Sequence, residues 1–339
     1  MLRKVEEGGY ASDLLLKLSA KLESRDAGLA SEIVFGCLRY QAQLDYLIDR
    51  LASKKLDREV RIALRMGIYQ LRYLDRIPAH AAVGESVELV KRARKQSAAG
   101  LVNAVLRKVD RAPVAWPDRA TELSLPEWLA EKWDRQFGPD TTEQIAAAFL
   151  QPAETHVAST GRIQDIGAQS VIPMLDLHPG LTLLDLCAAP GNKTAQALEY
   201  GVEAIACDIH WHRLQNLDGL NCHRIVADAT RDLPFHRRFD RILVDAPCSG
   251  TGTLGRNPEI KWRLQSSDLL ELHHKQVSLL RNALRHLNPG GKLVYSTCSL
   301  ETEENQSVID AFPGTWRVVE RLPGRDAGDG FFIALRTTS

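Results

Sequence analysis

The sequence predicts an all-helical N-terminal domain followed by an α/β domain built on a parallel, doubly wound sheet. Between residues 31 and 110, apolar side chains recur every three or four positions, which is the periodicity of amphipathic helices. From Leu181 onward, short apolar runs alternate with longer helical segments instead. Strand–helix alternation favours a parallel sheet covered by helices on both faces. The chain of 339 residues is therefore expected to hold more than one domain.

Prolines separate the helical segments in the first part of the chain. Pro78 ends one helical stretch, because a proline inside a helix removes a hydrogen bond and clashes with the preceding turn. Three prolines between residues 113 and 126 mark a linker, with further helices expected over residues 129–137 and 142–150. The resulting division is a helical domain, a helical linker and an α/β domain, with bounds at 1–112, 113–160 and 161–339.

The α/β part of the sequence contains five predicted strands. They are the apolar runs at residues 183–186, 204–207, 224–227, 241–244 and 292–295. A long helical segment over residues 268–287 precedes the last of them. In an open α/β sheet, the residues just past the carboxyl ends of the strands line the ligand crevice. Side chains at those positions are therefore the first candidates for a functional site.

Charge is distributed unevenly, although the formal net charge is zero. Residues 1–111 hold 21 Lys and Arg against 14 Asp and Glu, so the rest of the chain carries the compensating acidic surplus. The densest basic cluster lies at residues 91–95. A basic module joined to an acidic one is typical of nucleic-acid binding. A solvated helix face explains the same cluster equally well.

The composition indicates a globular protein of the cytoplasm. Apolar residues make up 44% of the chain and charged residues 25%, which is enough for a sizeable core. No apolar run approaches the roughly 18 residues of a membrane span, and residues 1–10 lack the apolar segment of a secretory signal. The six cysteines show no zinc-type spacing, so no metal site is expected. The absence of a heptad repeat leads us to expect a monomer.

The turn after the first predicted strand is rich in small residues. It comprises Cys187, Ala188, Ala189, Pro190, Gly191, Asn192 and Lys193. Small residues let a ligand approach the backbone, and the following helix offers unpaired N–H groups. Asp208 and Asp228 follow the second and third strands, where a carboxylate can accept hydrogen bonds from ribose hydroxyls. Each acid alone could simply cap a helix, but their succession favours an adenosyl ligand.

Two cysteines, Cys248 and Cys298, follow the fourth and fifth predicted strands. A free cysteine is more often a small buried apolar residue than a reactive one. That interpretation suits Cys37, Cys207 and Cys222, which lie in or beside apolar segments. Two thiols just past neighbouring strand ends indicate instead a soft nucleophile with a second acid or base group.

Three ordered motifs resemble the signature blocks of the RNA (cytosine-5) methyltransferases. They are CAAPGNKT at residues 187–194, DAPCSGTG at 245–252 and STCS at 296–299. Residues 256–262 and 301–305 are similar to the segments that flank these blocks in the family. Residues 78–107 are similar to its helical RNA-binding domain, which resembles the antitermination factor NusB. The resemblance covers nearly the whole chain and is strongest to the members that modify 16S ribosomal RNA.

The resemblance implies a class I, Rossmann-like methyltransferase fold, with S-adenosylmethionine as the cofactor and RNA as the substrate. Residues 187–193 would cradle the methionine part of the cofactor, Asp208 would hold the ribose and Asp228 would face the adenine. Arg213 would also contact the cofactor. Asp245 would lie near both the methyl donor and the target base.

For catalysis, the resemblance implies Cys298 as the nucleophile, with Cys248, Asp245 and Lys193 as further catalytic groups. A nucleophile is needed because C5 of cytosine is too electron-poor to accept a methyl group unless a thiolate first adds at C6. Cys248 would assist release of the product. A protonated Asp245 would stabilise the charge that develops at ring N3. The target base must leave its stack to reach such a site.

Two other functions remain open at this point. One is cytosine-5 methylation of another RNA, such as transfer RNA. The other is a non-catalytic RNA-binding or assembly factor, although such a role needs neither Cys248 nor Cys298.

The chain departs from the family pattern at two places. The family usually carries a small RNA-binding subdomain before the catalytic sheet, whereas here residues 152–157 pass almost directly into residues 161–165. RNA affinity and target choice therefore stay open. Asn192 stands where a second glycine is usual, and asparagine tolerates left-handed backbone better than most residues.

Overall fold

A computed structural model describes residues 1–52, 55–158 and 160–338, and the chain forms two compact units. The first unit contains Met1–Pro152 together with Leu254–Arg263. The second contains Ala153–Thr253 and the chain from Leu264 onward. Most of the segment predicted as a linker, up to Pro152, thus clusters with the helical unit.

The first unit is built from helices. In chain order they are α1 (Leu2–Glu6), α2 (Ala11–Ser19), α3 (Ser24–Arg39), α4 (Gln41–Leu51), α5 (Arg58–Tyr73), α6 (Ala79–Arg92), α7 (Ala99–Leu106), α8 (Arg119–Leu123), α9 (Glu127–Phe137) and α10 (Pro139–Leu150). Pro78 and Pro126 directly precede α6 and α9, outside the run of intrahelical hydrogen bonds that a proline would interrupt. The apolar stretch from residue 33 to 51 forms two helices, which are separated at Tyr40.

Helix α5 supplies the centre of the helical unit. Its Leu64 and Ile68 are fully buried, as are Leu44 and Ile48 of α4, and all four belong to one apolar core. Burying a side chain of this size stabilises the fold by about 1.5–3 kcal/mol. The periodic apolar positions of the sequence therefore mark the face that each helix turns toward this core.

The second unit contains a mixed sheet with the strand order β3-β2-β1-β4-β5-β7-β6. Its strands are β1 (Thr182–Asp185), β2 (Glu203–Asp208), β3 (His223–Val226), β4 (Phe239–Asp245), β5 (Leu287–Thr297), β6 (Arg317–Arg321) and β7 (Phe331–Thr337). The strands from β1 to β5 are parallel, which confirms the predicted doubly wound core. Strand β7 runs antiparallel to β5, and β6 runs antiparallel to β7. These last two strands were not predicted.

Helices flank this sheet. They are α11 (Ile166–Gln169), α12 (Asn192–Leu198), α13 (Trp211–Leu214), α15 (Ser266–Arg285) and α16 (Gln306–Asp310); α14 (Ile260–Arg263) lies between α13 and α15 in the chain. Helix α15 begins with a capping box formed by Gln265 and Asp268 and buries Leu279 and Leu280 in the same core as β4 and β5. No helix in the described part of the chain combines the length and the apolar character needed to cross a bilayer.

The segment Leu254–Arg263, which carries α14, belongs to the helical unit although its neighbours in the chain belong to the sheet unit. Lys261 is buried and donates hydrogen bonds to the backbone oxygens of Arg39, at 2.8 Å, and Ser124, at 2.6 Å. The indole of Trp262 donates to the backbone oxygen of Leu38 at 2.7 Å. Part of the segment that resembles a family motif therefore has a packing role.

Candidate active site

The candidate site lies at the carboxyl edge of the parallel strands. Asp185 ends β1, Asp208 ends β2 and Asp245 ends β4. The strand register places Asp185 opposite Ala206 and Leu243, and Asp245 opposite Ser296 of β5. The side chains predicted at separate strand ends are thus neighbours along one edge, where α/β folds bind their ligands.

The turn after β1 contains a position that only glycine can occupy. Gly191 adopts a left-handed backbone with φ of 108°, and a Cβ there would lie 2.8 Å from the Leu217 side chain. The backbone N–H of Ala188 donates to the carbonyl of Cys207 at 2.8 Å, which ties the turn to β2. Asn192 is the first residue of α12 and does not need the left-handed conformation that we had considered for it.

Cys187, the first residue of the turn, is a packing residue in this structure. Its side chain packs against the core shared by β1, β4 and α15. Burial, followed by the negative charges of Asp185 and Asp245, raises the pKa of the Cys187 thiol well above its ordinary value. Such a thiol stays protonated, so Cys187 shapes the turn rather than reacting.

Asp208 and Arg213 are joined at the end of β2. The Oδ1 atom of Asp208 accepts a hydrogen bond from the backbone N–H of His210 at 3.0 Å, and its Oδ2 atom lies 3.5 Å from the Arg213 guanidinium. Arg213 also donates to the backbone oxygen of Ala189 at 3.0 Å. The guanidinium therefore links the turn after β1 to the carboxylate after β2, two elements predicted to share one ligand.

Asp228 is engaged locally, in the loop after β3. Its Oδ1 atom accepts hydrogen bonds from the backbone N–H of Thr230, at 3.0 Å, and from the Thr230 hydroxyl, at 2.6 Å. The hydroxyl bond is the main reason why the pKa of Asp228 lies below its ordinary value. Arg231 lies 3.2 Å from the Oδ2 atom. These contacts hold an ionised carboxylate beside the edge of the sheet.

Lys193 and Asp245 form an ion pair at the centre of the site. The Nζ atom of Lys193 lies 2.7 Å from Oδ2 of Asp245, and the Ser296 hydroxyl donates to Oδ1 at 2.8 Å. The Lys193 ammonium also lies 5.3 Å from the centre of the Phe331 ring. Burial acts to lower the pKa of Lys193, but the charge of Asp245 and their hydrogen bond outweigh it, and the net pKa is raised.

Asp245 is hydrogen-bonded through both of its side-chain oxygens. One accepts from the Lys193 ammonium and the other from the Ser296 hydroxyl. The side chain predicted to supply a proton to ring N3 thus lies in direct contact with a second proton-bearing group.

Cys248 and Cys298 face each other. Their Sγ atoms lie 3.4 Å apart, within hydrogen-bonding range for thiols, and both side chains are half-buried. The hydrogen bond with Cys298, burial and the nearby charges of Cys298 and Glu304 together raise the pKa of Cys248 well above its ordinary value. The raised pKa favours the protonated form of the Cys248 thiol. By contrast, Cys37 and Cys207 are buried in apolar cores.

Two residues of this site escaped the sequence-based reasoning. Asp185 is buried at the end of β1 and accepts a hydrogen bond from the Thr194 hydroxyl at 2.7 Å. Burial raises the pKa of Asp185 to about 7, although the Thr194 bond lowers it. Glu304 is also buried, beneath the two cysteine loops. Asp185 had a signal, because it ends a strand. Glu304 lies in the family-like segment 301–305, but nothing local in that segment distinguished it from Glu301 and Glu303.

Comparison with protein families divides the chain in two. Residues 172–321 match the family model of the 16S rRNA methyltransferases RsmB/F. Residues 1–111 match the NusB family. The first match contains the turn after β1, Asp245, Cys248 and Cys298.

Curated relatives match along nearly the full chain. Ribosomal RNA small subunit methyltransferase B of Klebsiella pneumoniae is 32% identical over 411 positions, which cover 97% of this chain and 94% of the relative. The enzyme of the same name from Cronobacter sakazakii is 32% identical over 407 positions, with 97% and 95% covered. Both alignments are longer than this chain of 339 residues, so both relatives contain residues that it lacks.

Among solved structures, that of PH0851 superposes with a TM-score of 0.76 at 22% identity and covers 95% of this chain and 92% of its own. At that identity the likeness concerns the fold. The family matches and the near full-length relatives together show that this chain belongs to the 16S rRNA methyltransferase RsmB/F family and carries a NusB-family helical domain.

Proposed function

We propose that this protein methylates C5 of a cytosine in 16S ribosomal RNA, with S-adenosylmethionine as the methyl donor and Cys298 as a covalent nucleophile. The observation that carries the proposal is the pair of thiols 3.4 Å apart beside the Lys193–Asp245 ion pair. A methyltransferase that acts on an amino group or a hydroxyl has no need of a nucleophilic thiol, because its acceptor is already electron-rich.

The residues at the carboxyl edge suit an adenosyl ligand with an amino-acid tail. Asp208 offers a carboxylate for ribose hydroxyls, and Asp228 lies ionised after the neighbouring strand. The turn over residues 187–193 packs closely against Leu217 at Gly191, where there is no room for a side chain, and it supplies backbone groups for the methionine part. When bound, S-adenosylmethionine supplies an electrophilic methyl group on its sulfonium sulfur.

The two thiols divide the chemistry between them. The Cys298 thiolate forms a bond to C6 of the ring, and the ring electrons that move to C5 make that carbon nucleophilic. After C5 is methylated, solvent water takes the C5 proton, the electrons of that C–H bond re-form the C5–C6 double bond, and the C6–sulfur bond breaks. The departing sulfur leaves as a thiolate, and the protonated Cys248 thiol, 3.4 Å away, can stabilise it by hydrogen bonding. This is how Cys248 assists product release.

The Lys193–Asp245 pair stabilises the negative charge that develops on the ring. Addition at C6 places negative charge toward N3, and a nearby proton donor stabilises that charge. Lys193 stays protonated because its pKa is raised, and it lies against the Asp245 carboxylate. The pair therefore holds a proton that can stabilise the charge at N3.

The substrate is proposed from the relatives. The curated proteins that cover most of this chain are named for the small-subunit ribosomal RNA. The helical unit matches the NusB family, and its basic cluster at residues 91–95 is partly paired, through Lys91 with Glu88 and Lys95 with Asp57. Arg92 and Arg94 of the same cluster are exposed, and exposed guanidinium groups can contact phosphates.

Bisulfite sequencing of total RNA from a deletion strain of the source organism, with and without a plasmid copy of the gene, tests this function. We expect one 16S cytosine to lose its protection and to regain it with the wild-type gene. Loss confined to transfer RNA would refute the ribosomal target and retain the chemistry. No change in any RNA, together with no transfer of labelled methyl groups in vitro, would support a non-catalytic assembly factor instead.

A further inference from the structure

The loops that carry the two thiols share a buried carboxylate. We infer that Glu304 is a positioning residue, which holds the Cys248 loop and the Cys298 loop in one arrangement by accepting hydrogen bonds from the residue that follows each cysteine. The inference rests on the proposed function, since it concerns the same two thiols. Glu304 is buried, and both of its carboxylate oxygens accept hydrogen bonds from named donors.

Each oxygen of Glu304 has two donors. Oε1 accepts from the backbone N–H of Ser249 at 2.8 Å and from the Gln276 side chain at 3.0 Å. Oε2 accepts from the hydroxyls of both Ser249 and Ser299 in short hydrogen bonds. Ser249 directly follows Cys248, and Ser299 directly follows Cys298. One carboxylate is therefore bonded one residue away from each thiol.

Further hydrogen bonds connect the same two loops. The Ser249 and Ser299 hydroxyl oxygens lie 3.0 Å apart. The Thr251 hydroxyl accepts from the backbone N–H of Leu300 at 2.9 Å, and Gly252 donates its N–H to the Cys298 carbonyl at 2.9 Å. Glu304 differs from these bonds because its carboxyl group is the acceptor at which hydroxyls from both loops converge. Burial raises the pKa of Glu304, whereas the hydrogen bonds from Ser249, Ser299 and Gln276 act to lower it. Hydrogen bonds to a charged group are about twice as strong as neutral ones.

Glu304 is itself held in place. Its backbone oxygen accepts from the Tyr295 hydroxyl at 2.6 Å. The neighbouring Asn305 accepts from the Thr297 hydroxyl at 2.5 Å and donates to the Ser299 carbonyl at 2.8 Å. The carboxylate is thus anchored to β5, the strand that leads into Cys298.

A glutamine reproduces only part of this arrangement. Its amide oxygen can accept from the Ser249 backbone N–H and from Gln276, which leaves its NH₂ group facing the two serine hydroxyls. Those hydroxyls must then rotate and accept neutral hydrogen bonds instead of donating to a shared carboxylate. Glu304→Gln therefore keeps the size of the side chain and removes the shared acceptor.

The rate at which the two thiols are oxidised to a disulfide reports how well the structure holds them close together. A diazenedicarboxamide oxidant accepts the two thiol hydrogens at its N=N bond, which becomes a hydrazine, while the two sulfur atoms join as a disulfide. The full chain is treated without RNA or cofactor, and the Cys248–Cys298 disulfide is quantified over time by peptide mass mapping. We expect rapid formation in the wild-type protein and about tenfold slower formation in Glu304→Gln, because the thiols lose their fixed approach.

Control variants show whether a slower disulfide rate is due to the loss of the Glu304 carboxylate. Glu271→Gln, on the exposed face of α15, should form the disulfide at the wild-type rate. Ser249→Ala removes one hydroxyl donor and leaves the carboxylate, so it should slow the reaction less than Glu304→Gln. Thermal unfolding of each variant checks that it is folded; if Glu304→Gln does not fold, Ser249→Ala carries the test. Wild-type rates in the folded variants, or no disulfide in the wild-type protein, would overturn the inference.

This readout is independent of methylation, so the inference can fail while the proposed function holds, and the reverse is also true. With RNA and methyl donor present, Glu304→Gln should lower kcat and leave KM for RNA near the wild-type value. A rise in KM alone would indicate a role in RNA binding and contradict a positioning role. A change in the thermal midpoint with unchanged disulfide rate and kcat would leave Glu304 as a purely structural residue.

Discussion

The Sγ atoms of Cys248 and Cys298 lie 3.4 Å apart, although fifty positions separate the two residues in the chain. Strands β4 and β5 bring them together, because Asp245 and Ser296 are opposite each other in the parallel register. Cys248 lies three residues past the end of β4, and Cys298 directly follows the last residue of β5. The hydrogen bond with Cys298 and burial raise the pKa of Cys248, which favours the protonated form of that thiol.

Replacing Cys298 with serine should abolish methyl transfer. A serine hydroxyl is a far weaker nucleophile than a thiolate at neutral pH, so no bond to C6 forms. Turnover of labelled methyl donor on RNA should fall by at least about a thousandfold. Cys222→Ser, which alters a half-buried cysteine away from the thiol pair, should keep wild-type turnover. Residual activity near the wild-type level in Cys298→Ser would remove Cys298 as the nucleophile.

Replacing Cys248 with alanine should trap the protein on its RNA. The Cys298 adduct still forms, but the leaving thiolate loses the hydrogen bond that stabilises it. A covalent protein–RNA band that resists denaturation should accumulate on gels, and it should be absent from the Cys248→Ala/Cys298→Ser double variant. Normal turnover by Cys248→Ala would exclude the release role.

Replacing Lys193 with methionine should slow catalysis while RNA binding is preserved. The variant keeps much of the volume of the side chain but loses the ammonium that lies 2.7 Å from Asp245. We expect kcat to fall by about a hundredfold, as on removal of one charge-stabilising donor. Lys275→Met, on the exposed face of α15, serves as the control for lost positive charge. An equal effect of both variants would indicate a general electrostatic effect on RNA binding.

Asp185 should make the stability of the ligand-free protein depend on pH. Its folded pKa of about 7 lies above the ordinary value of 3.8, so the folded state binds the proton more tightly than the unfolded state. This contribution is present below pH 4 and is lost as the pH rises through 7, at a cost of up to about 4 kcal/mol. Asp185→Asn removes the titration and keeps an acceptor for the Thr194 hydroxyl.

Calorimetric unfolding at pH 5 and pH 8 tests this expectation. Relative to the wild-type protein, Asp185→Asn should gain thermal stability at pH 8 and gain less at pH 5. Asp232→Asn, at an exposed aspartate, should track the wild-type protein at both values. A difference between Asp185→Asn and wild type that does not change with pH would show that Asp185 does not titrate in this range.

The strand ends could be predicted because their signals are local. Each of the first five strands contains a short apolar run, which places Asp208, Asp245, Cys248 and Cys298 at or just past the strand ends. Strand β5 is longer than its run at 292–295, because it begins at Leu287. Strand β6 carries no such signal, since it lies at the edge of the sheet and is largely exposed. Its pairing with β7 depends on residues that a local pattern does not reveal.

The sequence by itself determined the fold class, the family motifs and the strand-end residues, because hydrophobic periodicity and turn chemistry act over a few neighbouring positions. Only the tertiary structure decided which of these groups meet. The contact of Lys193 with Asp245 spans 52 positions and that of Ser249 with Glu304 spans 55. The protonation of Lys193, Cys248 and Asp185 was likewise decided there, because burial and neighbouring charge arise only when distant segments pack together.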